Sequence, residues 1–333
     1  MSQLNTLLAV SDYVDHLCAI EMRSSLLPQG TILKLYDEAR RIQHAPLTYL
    51  AAQRLSQTIH PGDNVIITTG IGEPSKLPKG ETDGPPGAAA LARAISLILQ
   101  ANPIIVAGEN YLEPVFASCR ALGMKASDHA GPNCVKGESF PVNDQQARNG
   151  AVELLKKYNP SALISIECLG PNSEGVLHTL DGIDLTKHNV PLHHIFEAAT
   201  QKSLLTIGLG DGGNEIGCGM IYEAVRRIQR YGTICQCPCK KGVATVTATD
   251  VLVFASTGNW GAYGVTASLA LLHRNISAIH TPQDEEMSLQ ACVDAGARDG
   301  PTGSKELWVD SIPLETHKAL LIMLRTLVSK YLE

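Results

Sequence analysis

Aromatic residues are scarce in this chain of 333 residues, making up only 5% of it, whereas Gly and Pro number 29 and 18. Such a protein is expected to work through loops lined by backbone rather than through stacking surfaces. A surplus of positive charge is also missing, because 27 Lys and Arg stand against 33 Asp and Glu. Without a basic stripe to neutralise phosphates, the sequence argues against a nucleic-acid-binding protein.

Long apolar segments are missing as well. No apolar run approaches the roughly 20 residues that span a bilayer. Acidic residues interrupt the first 25 positions, where a signal or transit peptide would avoid them. The nine scattered cysteines are an odd number, which suits a reducing compartment better than a disulfide framework. We therefore expect a cytoplasmic protein without a membrane partner. Its 44% hydrophobic content predicts a large core and excludes disorder.

Three cysteines stand close together, at Cys235, Cys237 and Cys239. Structural zinc sites usually combine C-x₂₋₄-C pairs into four ligands, and no second pair of cysteines lies at a sequence distance typical of such sites. The spacing therefore favours a solvent-facing or partly buried thiol cluster on a loop, with zinc as the alternative. The isolated His178 is expected to be structural.

The order of apolar patterns predicts an α/β fold. Helical patterns at 4–23, 30–43 and 46–59 come first. Five short apolar runs then alternate with helical stretches, which indicates a doubly wound, mostly parallel sheet in a Rossmann-like three-layer arrangement. The predicted strands are 65–69, 103–107, 161–166, 203–207 and 250–255, and the helices between and after them are 87–100, 111–122, 144–158, 190–200, 215–231, 259–273, 283–295 and 314–331. We expect residues 1–60 to form a helical appendage packed on a single domain of residues 61–333.

The loop after the first predicted strand is rich in Gly and Pro. Residues 61–87 hold six Gly and five Pro, and Glu81 and Asp83 precede the start of a helix at Pro85. Because loops at the carboxyl ends of parallel strands share one edge of the sheet, this loop is a candidate binding element. A long surface loop with a capping acid is the alternative.

The second loop of interest follows the strand at 203–207. Half of the residues from 208 to 219 are Gly, and this stretch contains Asp211, Asn214 and Glu215. The dinucleotide pattern G-x-G-x-x-G is met only loosely, and no ribose-binding acid follows about 20 residues on, so no nucleotide cofactor is expected. Oxygen ligands suit Mg²⁺ or Mn²⁺. The alternative makes Asn214 a helix N-cap, with Asp211 stabilising the first turn.

Two more segments are predicted at the same edge of the sheet. Glu167 ends the strand at 161–166 and precedes Asn172, and a carboxylate closing a buried strand is costly unless it is paired or metal-bound. Asn259 and Trp260 follow the strand at 250–255. Trp260 suits a core position as well as a pocket wall.

Three of these stretches resemble a known family. GETDGPPGAAALAR at 80–93 resembles the signature of the D-glutamate cyclase C-terminal domain family, and GDGGNEIG at 210–217 and NWGAY at 259–263 resemble two more of its motifs in the same order. The resemblance covers residues 60–305. It implies conversion of D-glutamate, a small anionic substrate, to 5-oxo-D-proline and water, with a divalent metal such as Mn²⁺.

Our hypothesis assigns each candidate residue an expected role in this reaction. The catalytic residues would be Glu81, Asp83, Asp211 and Glu215, and the metal ligands Asp211, Glu215, Glu167 and Asp83. The substrate-binding residues would be Gly70, Gly72, Thr82, Gly84, Gly212, Gly213, Asn214, Asn172, Asn259 and Trp260. We further expect the helix N-termini after residues 84 and 214 to cradle the substrate α-carboxylate.

Other functions stay open at this point. One is a metal-dependent hydrolase or lyase acting on another small carboxylate or a phosphorylated metabolite, which the same loops would serve. Another is a non-catalytic metabolite sensor, although a sensor has no need of so many carboxylates on one edge. A homo-oligomer is compatible with all of these functions.

Overall fold

The computed structural model describes residues 3–22, 27–127 and 131–333. Seven parallel strands form its central sheet, in the order β3-β4-β2-β1-β5-β6-β7. Their bounds are β1 Asn64–Thr69, β2 Asn102–Ala107, β3 Lys125–Ala126, β4 Cys134–Ser139, β5 Ala162–Ile166, β6 Leu205–Gly210 and β7 Val251–Phe254. The predicted doubly wound α/β class is therefore confirmed. Two further strands, β8 Trp308–Val309 and β9 Ile312–Pro313, form an antiparallel pair.

Helices cover both faces of this sheet. They are α1 Gln3–Cys18, α2 Thr31–Gln43, α3 Leu47–Thr58, α4 Pro85–Ile98, α5 Leu112–Ala121, α6 Asp144–Tyr158, α7 His193–Thr200, α8 Tyr222–Ile228, α9 Gly258–Leu272, α10 Pro282–Asp294 and α11 Leu314–Leu332. The predicted helix at 215–231 is wrong at both ends, because α8 begins at Tyr222 and ends at Ile228. The carboxylate of Glu215 accepts the backbone N–H groups of Gly212 and Gly213, and Gly217 has a φ of 107°, so the loop continues until α8 begins.

The three N-terminal helices pack on the same core as the sheet. Ile32 of α2 and Leu47 of α3 are fully buried in one cluster with Ile67 of β1 and residues of α9. Gln43 also closes the edge of the sheet, because its side-chain amide exchanges hydrogen bonds of 2.8 and 3.0 Å with the backbone of Leu252 in β7. This side chain takes the place of a further strand at an edge that would otherwise expose its backbone.

The strand order reverses beside β1. The chain moves from β1 outward through β2 to β4 and β3, then returns to β5 on the other side of β1. In doubly wound sheets such a reversal opens a crevice at the carboxyl ends of the strands, where ligands bind. The loops that follow β1, β5 and β6 therefore meet at the position that favours a site.

Within the described residues, no helix is both long enough and apolar enough to cross a membrane.

Candidate active site

Three acids from three different loops meet at the strand reversal. Asp83 comes from the loop after β1, Glu167 directly follows β5, and Asp211 directly follows β6. One carboxylate oxygen from each lies within 4.8 Å of the others, and all three side chains are buried. Three of the four predicted metal ligands thus lie together, as expected from the shared edge of the sheet.

Glu167 is held in an unfavourable environment. Its backbone has a φ of 50°, a left-handed conformation that side-chain-bearing residues adopt at a cost of about 1–3 kcal/mol. Its Oε2 is buried and has no hydrogen-bond partner among the described residues. Burial, followed by the charges of Glu215 and Asp83, raises the pKa of its carboxyl well above the usual value. Strain and a lone buried oxygen together indicate a functional rather than a structural side chain.

Asp83 has a different environment, because backbone amides surround it. Its Oδ2 accepts the N–H of Gly258 at 2.7 Å, and its Oδ1 accepts the N–H of Asn259 at 2.8 Å and of Gly84 at 3.1 Å. Gly258 and Asn259 begin α9, so the carboxylate faces the positive end of that helix. These contacts fix the orientation of the Asp83 carboxylate beside the other two acids.

The position next to Asp83 requires glycine, and Gly84 occupies it. It has a φ of 100°, and a Cβ there would lie 2.3 Å from Oγ1 of Thr69. The close approach of this backbone to β1 places Asp83 at the end of the strand. Thr82, on the other side, donates its hydroxyl to the carbonyl of Trp308 at 2.7 Å and serves to fix the loop.

The glycine-rich loop after β6 is organised by one of its own acids. Oε1 of Glu215 accepts the N–H of Gly212 at 3.0 Å, and Oε2 accepts the N–H of Gly213 at 2.8 Å. Glu215 is not part of the three-acid cluster, although its charge is one of those that raise the pKa of Glu167. Its position therefore fits the folding of this loop, and its predicted metal contact stays a prediction.

Asn214 does not begin a helix, contrary to the alternative drawn from the sequence. Its Nδ2 donates to the carbonyl of His178 at 2.8 Å, which ties the β6 loop to the loop after β5. Its Oδ1 is buried and accepts no hydrogen bond from the described residues. Like Glu167, Asn214 thus holds a buried oxygen that a ligand would satisfy.

A cavity of about 210 Å³ opens beside these residues. Glu167, Asp211, Asn214 and Glu215 line it, together with Leu180 and Leu185 on an apolar side. This volume lies below the range of about 300–1,000 Å³ for sites that take drug-sized ligands, and it suits a small metabolite.

Other charged residues also line this cavity, among them Lys76 and Asp310. Lys76 supplies a positive charge, and its Nζ donates to the carbonyl of Pro301 at 2.5 Å. Asp310 lies in the turn between β8 and β9 with a φ of 53°. No pattern in the sequence points to Asp310, because strands of two residues carry no periodicity.

Several predicted substrate-binding residues are not among those that line the cavity. Asn172 donates to Sγ of Cys239 and to the carbonyl of Gly242, in the loop after α8. Trp260 is 1% exposed in the core, where its indole N–H donates to Nδ1 of His317 at 2.7 Å. Gly70 and Gly72 pack against the ring of Tyr111.

The predicted cradle of helix N-termini is wrong. No α-helix begins directly after residue 214, since α8 starts only at Tyr222. Helix α4 does begin after Gly84, but the N–H groups of Gly84 and Gly87 both donate to Oδ1 of Asn259, at 2.9 and 2.7 Å. Pro85 and Pro86 have no N–H to offer. The start of α4 therefore has no amide left for a substrate carboxylate.

The three acids fit a divalent cation. Buried carboxylates this close repel one another unless a proton or a cation separates them. The lone Oε2 of Glu167 offers a ligand atom, and carboxylate oxygens are the donors that Mg²⁺ and Mn²⁺ prefer. Glu81, whose charge also raises the pKa of Glu167, is buried nearby.

Comparison with known proteins identifies the family of this chain. The model of the family described as D-glutamate cyclase-like, C-terminal, matches residues 31–325. The chain belongs to this family. The match extends beyond the 60–305 of the sequence resemblance and takes in α2 and α3.

One relative of this family member is the mitochondrial D-glutamate cyclase of Homo sapiens, which is 28% identical over 306 residues. The alignment covers 81% of the present chain and 46% of the human protein, so the chain spans less than half the length of that relative. The names of the family and of the relative point to an enzyme.

Proposed function

We propose that this protein is a metal-assisted cyclase that converts D-glutamate to 5-oxo-D-proline and water. The observation that carries the proposal is the buried cluster of Asp83, Glu167 and Asp211 at the strand reversal, with a lone oxygen on Glu167. The names of the family and of the human relative supply the substrate. The size of the cavity supports a substrate of about this size.

Ring closure forms one bond and breaks another. The α-nitrogen of glutamate attacks the γ-carbon, and one γ-oxygen leaves as water. The nitrogen gives up two protons on its way from ammonium to amide, and the departing oxygen takes up two. The site must therefore accept protons from nitrogen, deliver protons to oxygen and hold the two reacting atoms close together.

Asp83, Glu167 and Asp211 are the residues that would hold the cation. When bound, Mn²⁺ or Mg²⁺ would polarise the γ-carboxylate and offset the repulsion between the acids and an anionic substrate. The amides around Asp83 hold its carboxylate in place for this role. Glu167 has a left-handed backbone conformation, and its carboxylate lies in the cluster with the other two acids.

The remaining groups of the cavity fit the other parts of glutamate. Lys76 provides the positive charge for the α-carboxylate, and Oδ1 of Asn214 accepts a hydrogen bond from the α-ammonium group. Asp310 is the base of this proposal. It lines the same cavity as Lys76 and Asn214, the groups that would hold the substrate.

The test is ring closure followed by NMR. Protein treated with EDTA is incubated with D-glutamate or L-glutamate, with and without added Mn²⁺, and 5-oxoproline is quantified. We expect metal-dependent product from D-glutamate. No product from either enantiomer in the presence of Mn²⁺ or Mg²⁺ would overturn the cyclase proposal.

Variants of single acidic residues test whether the reaction takes place at the three-acid cluster. We expect Asp211→Asn to lower turnover at least 100-fold, because a neutral amide is a much weaker ligand for a hard cation. Glu174→Gln is the matched control, since Glu174 is an exposed acid in the loop after β5. Equal activity of both variants would place the reaction elsewhere on the protein.

A further inference from the structure

Outside the candidate active site, three thiols and one imidazole meet in a compact cluster. The sulfurs of Cys235, Cys237 and Cys239 lie 3.3–3.4 Å from one another. Nε2 of His178 lies 3.2 Å from the sulfur of Cys237 and 3.7 Å from that of Cys239. Cys235, Cys237 and His178 are buried, and Cys239 is half-buried. The sequence predicted only the thiols, because His178 precedes Cys237 by 59 positions.

The histidine is oriented as a ligand. Its Nδ1 lies 3.1 Å from the carbonyl of Val176, and of the two ring nitrogens this one must carry the proton to make that contact. The lone pair of Nε2 is then left facing the sulfurs. Metal-binding histidines are typically held in this way, with the second ring nitrogen donating to a backbone carbonyl or a carboxylate.

One of the sulfurs also has a hydrogen-bond donor suited to a thiolate. Nδ2 of Asn172 lies 3.4 Å from Sγ of Cys239 and donates toward it. The sulfur–sulfur distances are far longer than the roughly 2.05 Å of a disulfide. They lie within about half an ångström of the ~3.8 Å edge of a tetrahedron with metal–sulfur distances of 2.3 Å. Four donors around one point thus match a closed metal site better than a disulfide.

We propose that Cys235, Cys237, Cys239 and His178 bind one structural Zn²⁺ ion. Three thiolates and one imidazole are an established ligand set for closed zinc sites, although the C-x-C-x-C spacing departs from the usual C-x₂₋₄-C. Binding displaces the three thiol protons and leaves the neutral imidazole unchanged. The protein supplies all four ligands, so this zinc has no open position for a substrate.

The position of the cluster indicates a structural role for the ion beside the candidate active site. His178 belongs to the loop after β5, and Thr179, Leu180 and Asp181 of that loop line the candidate active-site cavity. The carbonyl of His178 accepts the Asn214 amide beside the three acids. Zinc would therefore fasten this wall of the cavity to the segment 235–242, adding to the hydrogen bonds that Gln236 and Cys237 donate to the carbonyl of Gly182.

Metal analysis of the purified full chain tests the proposal. The protein is first treated with an amount of EDTA that strips Mn²⁺ or Mg²⁺ from carboxylates, and we expect one zinc ion per chain to remain. A mercurial that blocks thiols should then release this zinc. The variants Cys239→Ser and His178→Phe should retain less than about a fifth of the zinc. Cys134→Ser is the matched control, because Cys134 is equally half-buried but lies outside the cluster.

Three results would overturn the proposal. The first is wild-type protein that holds no zinc after expression in zinc-supplemented medium. The second is iron or copper in place of zinc, and the third is a full complement of zinc in both ligand variants. If those variants do not fold, cobalt-loaded wild-type protein decides. The visible spectrum of tetrahedral cobalt with thiolate ligands supports the site, and the absence of that spectrum refutes it.

This test is independent of the cyclase proposal. Zinc content is measured without substrate, so a protein that holds zinc but makes no 5-oxoproline would refute only the proposed reaction. A protein that makes 5-oxoproline but holds no zinc would refute only the structural zinc site.

Discussion

Asp83 and Asn259 each bind the start of the helix that belongs to the other. The Asp83 carboxylate accepts the N–H groups of Gly258 and Asn259 at the start of α9. In return, Oδ1 of Asn259 accepts the N–H groups of Gly84 and Gly87 at the start of α4. Because α4 and α9 pack against each other, this exchange fixes the end of β1 and the adjacent helix pair as one unit.

The exchange predicts a large stability cost for the Asn259→Ala variant. It would take the side-chain partner from the buried N–H of Gly87 and from the carbonyl of Thr82, while the N–H of Gly84 keeps its contact with Asp83. Each unsatisfied buried group costs about 1–3 kcal/mol. We expect the free energy of unfolding to fall by about 3 kcal/mol in urea titrations.

Asn275→Ala is the matched control. Asn275 also caps a helical turn, by accepting the N–H of Ser277, but it is exposed. Water replaces the lost contact there, so we expect a cost of about 1 kcal/mol or less. Equal losses in both variants would mean that the exchange between α4 and α9 contributes no more than an ordinary surface cap.

The meeting of Asp83, Glu167 and Asp211 was predictable from the sequence for a simple reason. The strands β1, β5 and β6 are continuous apolar runs buried on both faces, and parallel strands deliver the residues that follow them to one edge. Strand β4 was not predicted, because Lys136, Gly137 and Glu138 interrupt its apolar character. An outer position in the sheet tolerates them.

Long-range contacts between polar groups could not be predicted. Asp83 and Asn259 are 176 positions apart, and nothing local to either residue signals the other. The same holds for His178 and the three cysteines. Sequence patterns report how a segment packs, whereas the pairing of individual polar side chains depends on the finished fold.

Glu167 is predicted to reduce stability in the metal-free protein. Burial and neighbouring carboxylates raise the pKa of its carboxyl, which means that its charged form is disfavoured in the folded state. The pKa of a Glu carboxyl in the unfolded chain is about 4.3. When the folded state raises this pKa, the free energy of unfolding falls as the pH rises above about 4.3, by about 1.4 kcal/mol per pH unit. At pH 7 without metal, Glu167→Gln should therefore raise the free energy of unfolding by about 1 kcal/mol or more while lowering cyclase turnover.

Glu285→Gln provides the opposite case for comparison. Glu285 is also fully buried, but it accepts hydrogen bonds from the hydroxyl of Tyr263 and lies 2.8 Å from Nε2 of His280. Removing its charge breaks a satisfied buried network and should cost about 3 kcal/mol. Thermal unfolding of both variants in EDTA measures the contrast. Destabilisation of both to a similar degree would show that Glu167 is as well satisfied as Glu285.

His193 is predicted to make the protein less stable in mild acid. Burial, together with the charge of His194, lowers the pKa of His193 to about 3. The pKa of a His in the unfolded chain is about 6.5. Between the two pKa values the unfolded chain binds a proton that the folded protein does not, so the free energy of unfolding falls as the pH falls. From pH 7 to pH 5 this residue should remove about 2 kcal/mol.

Comparison of variants isolates the contribution of His193. We expect His193→Phe to lose about 2 kcal/mol less than wild type between pH 7 and pH 5, measured by urea unfolding at each pH. His60→Gln is the control, since the side chain of His60 is 79% exposed. Parallel curves for wild type and His193→Phe would show that His193 takes up a proton freely in the folded protein.

Gly72 is predicted to serve packing rather than substrate binding. A Cβ on this residue would lie 2.1 Å from the hydroxyl oxygen of Tyr111, and its own N–H and carbonyl are both bound by the side chain of Asn189 at 2.9 Å. We expect Gly72→Ala to cost about 1–3 kcal/mol through overpacking. Gly150→Ala, inside α6 and with room for a methyl group, should instead be neutral or stabilising.

A double-mutant cycle decides between the two roles of Gly72. Tyr111→Leu removes the ring that the new methyl group meets, so the combined variant should lose less stability than the sum of the single losses. The combined variant should also keep the same affinity for D-glutamate as Tyr111→Leu alone, measured by calorimetry. Additive stability losses, together with an affinity for D-glutamate that falls only when Gly72 is changed, would show that Gly72 contributes to substrate binding.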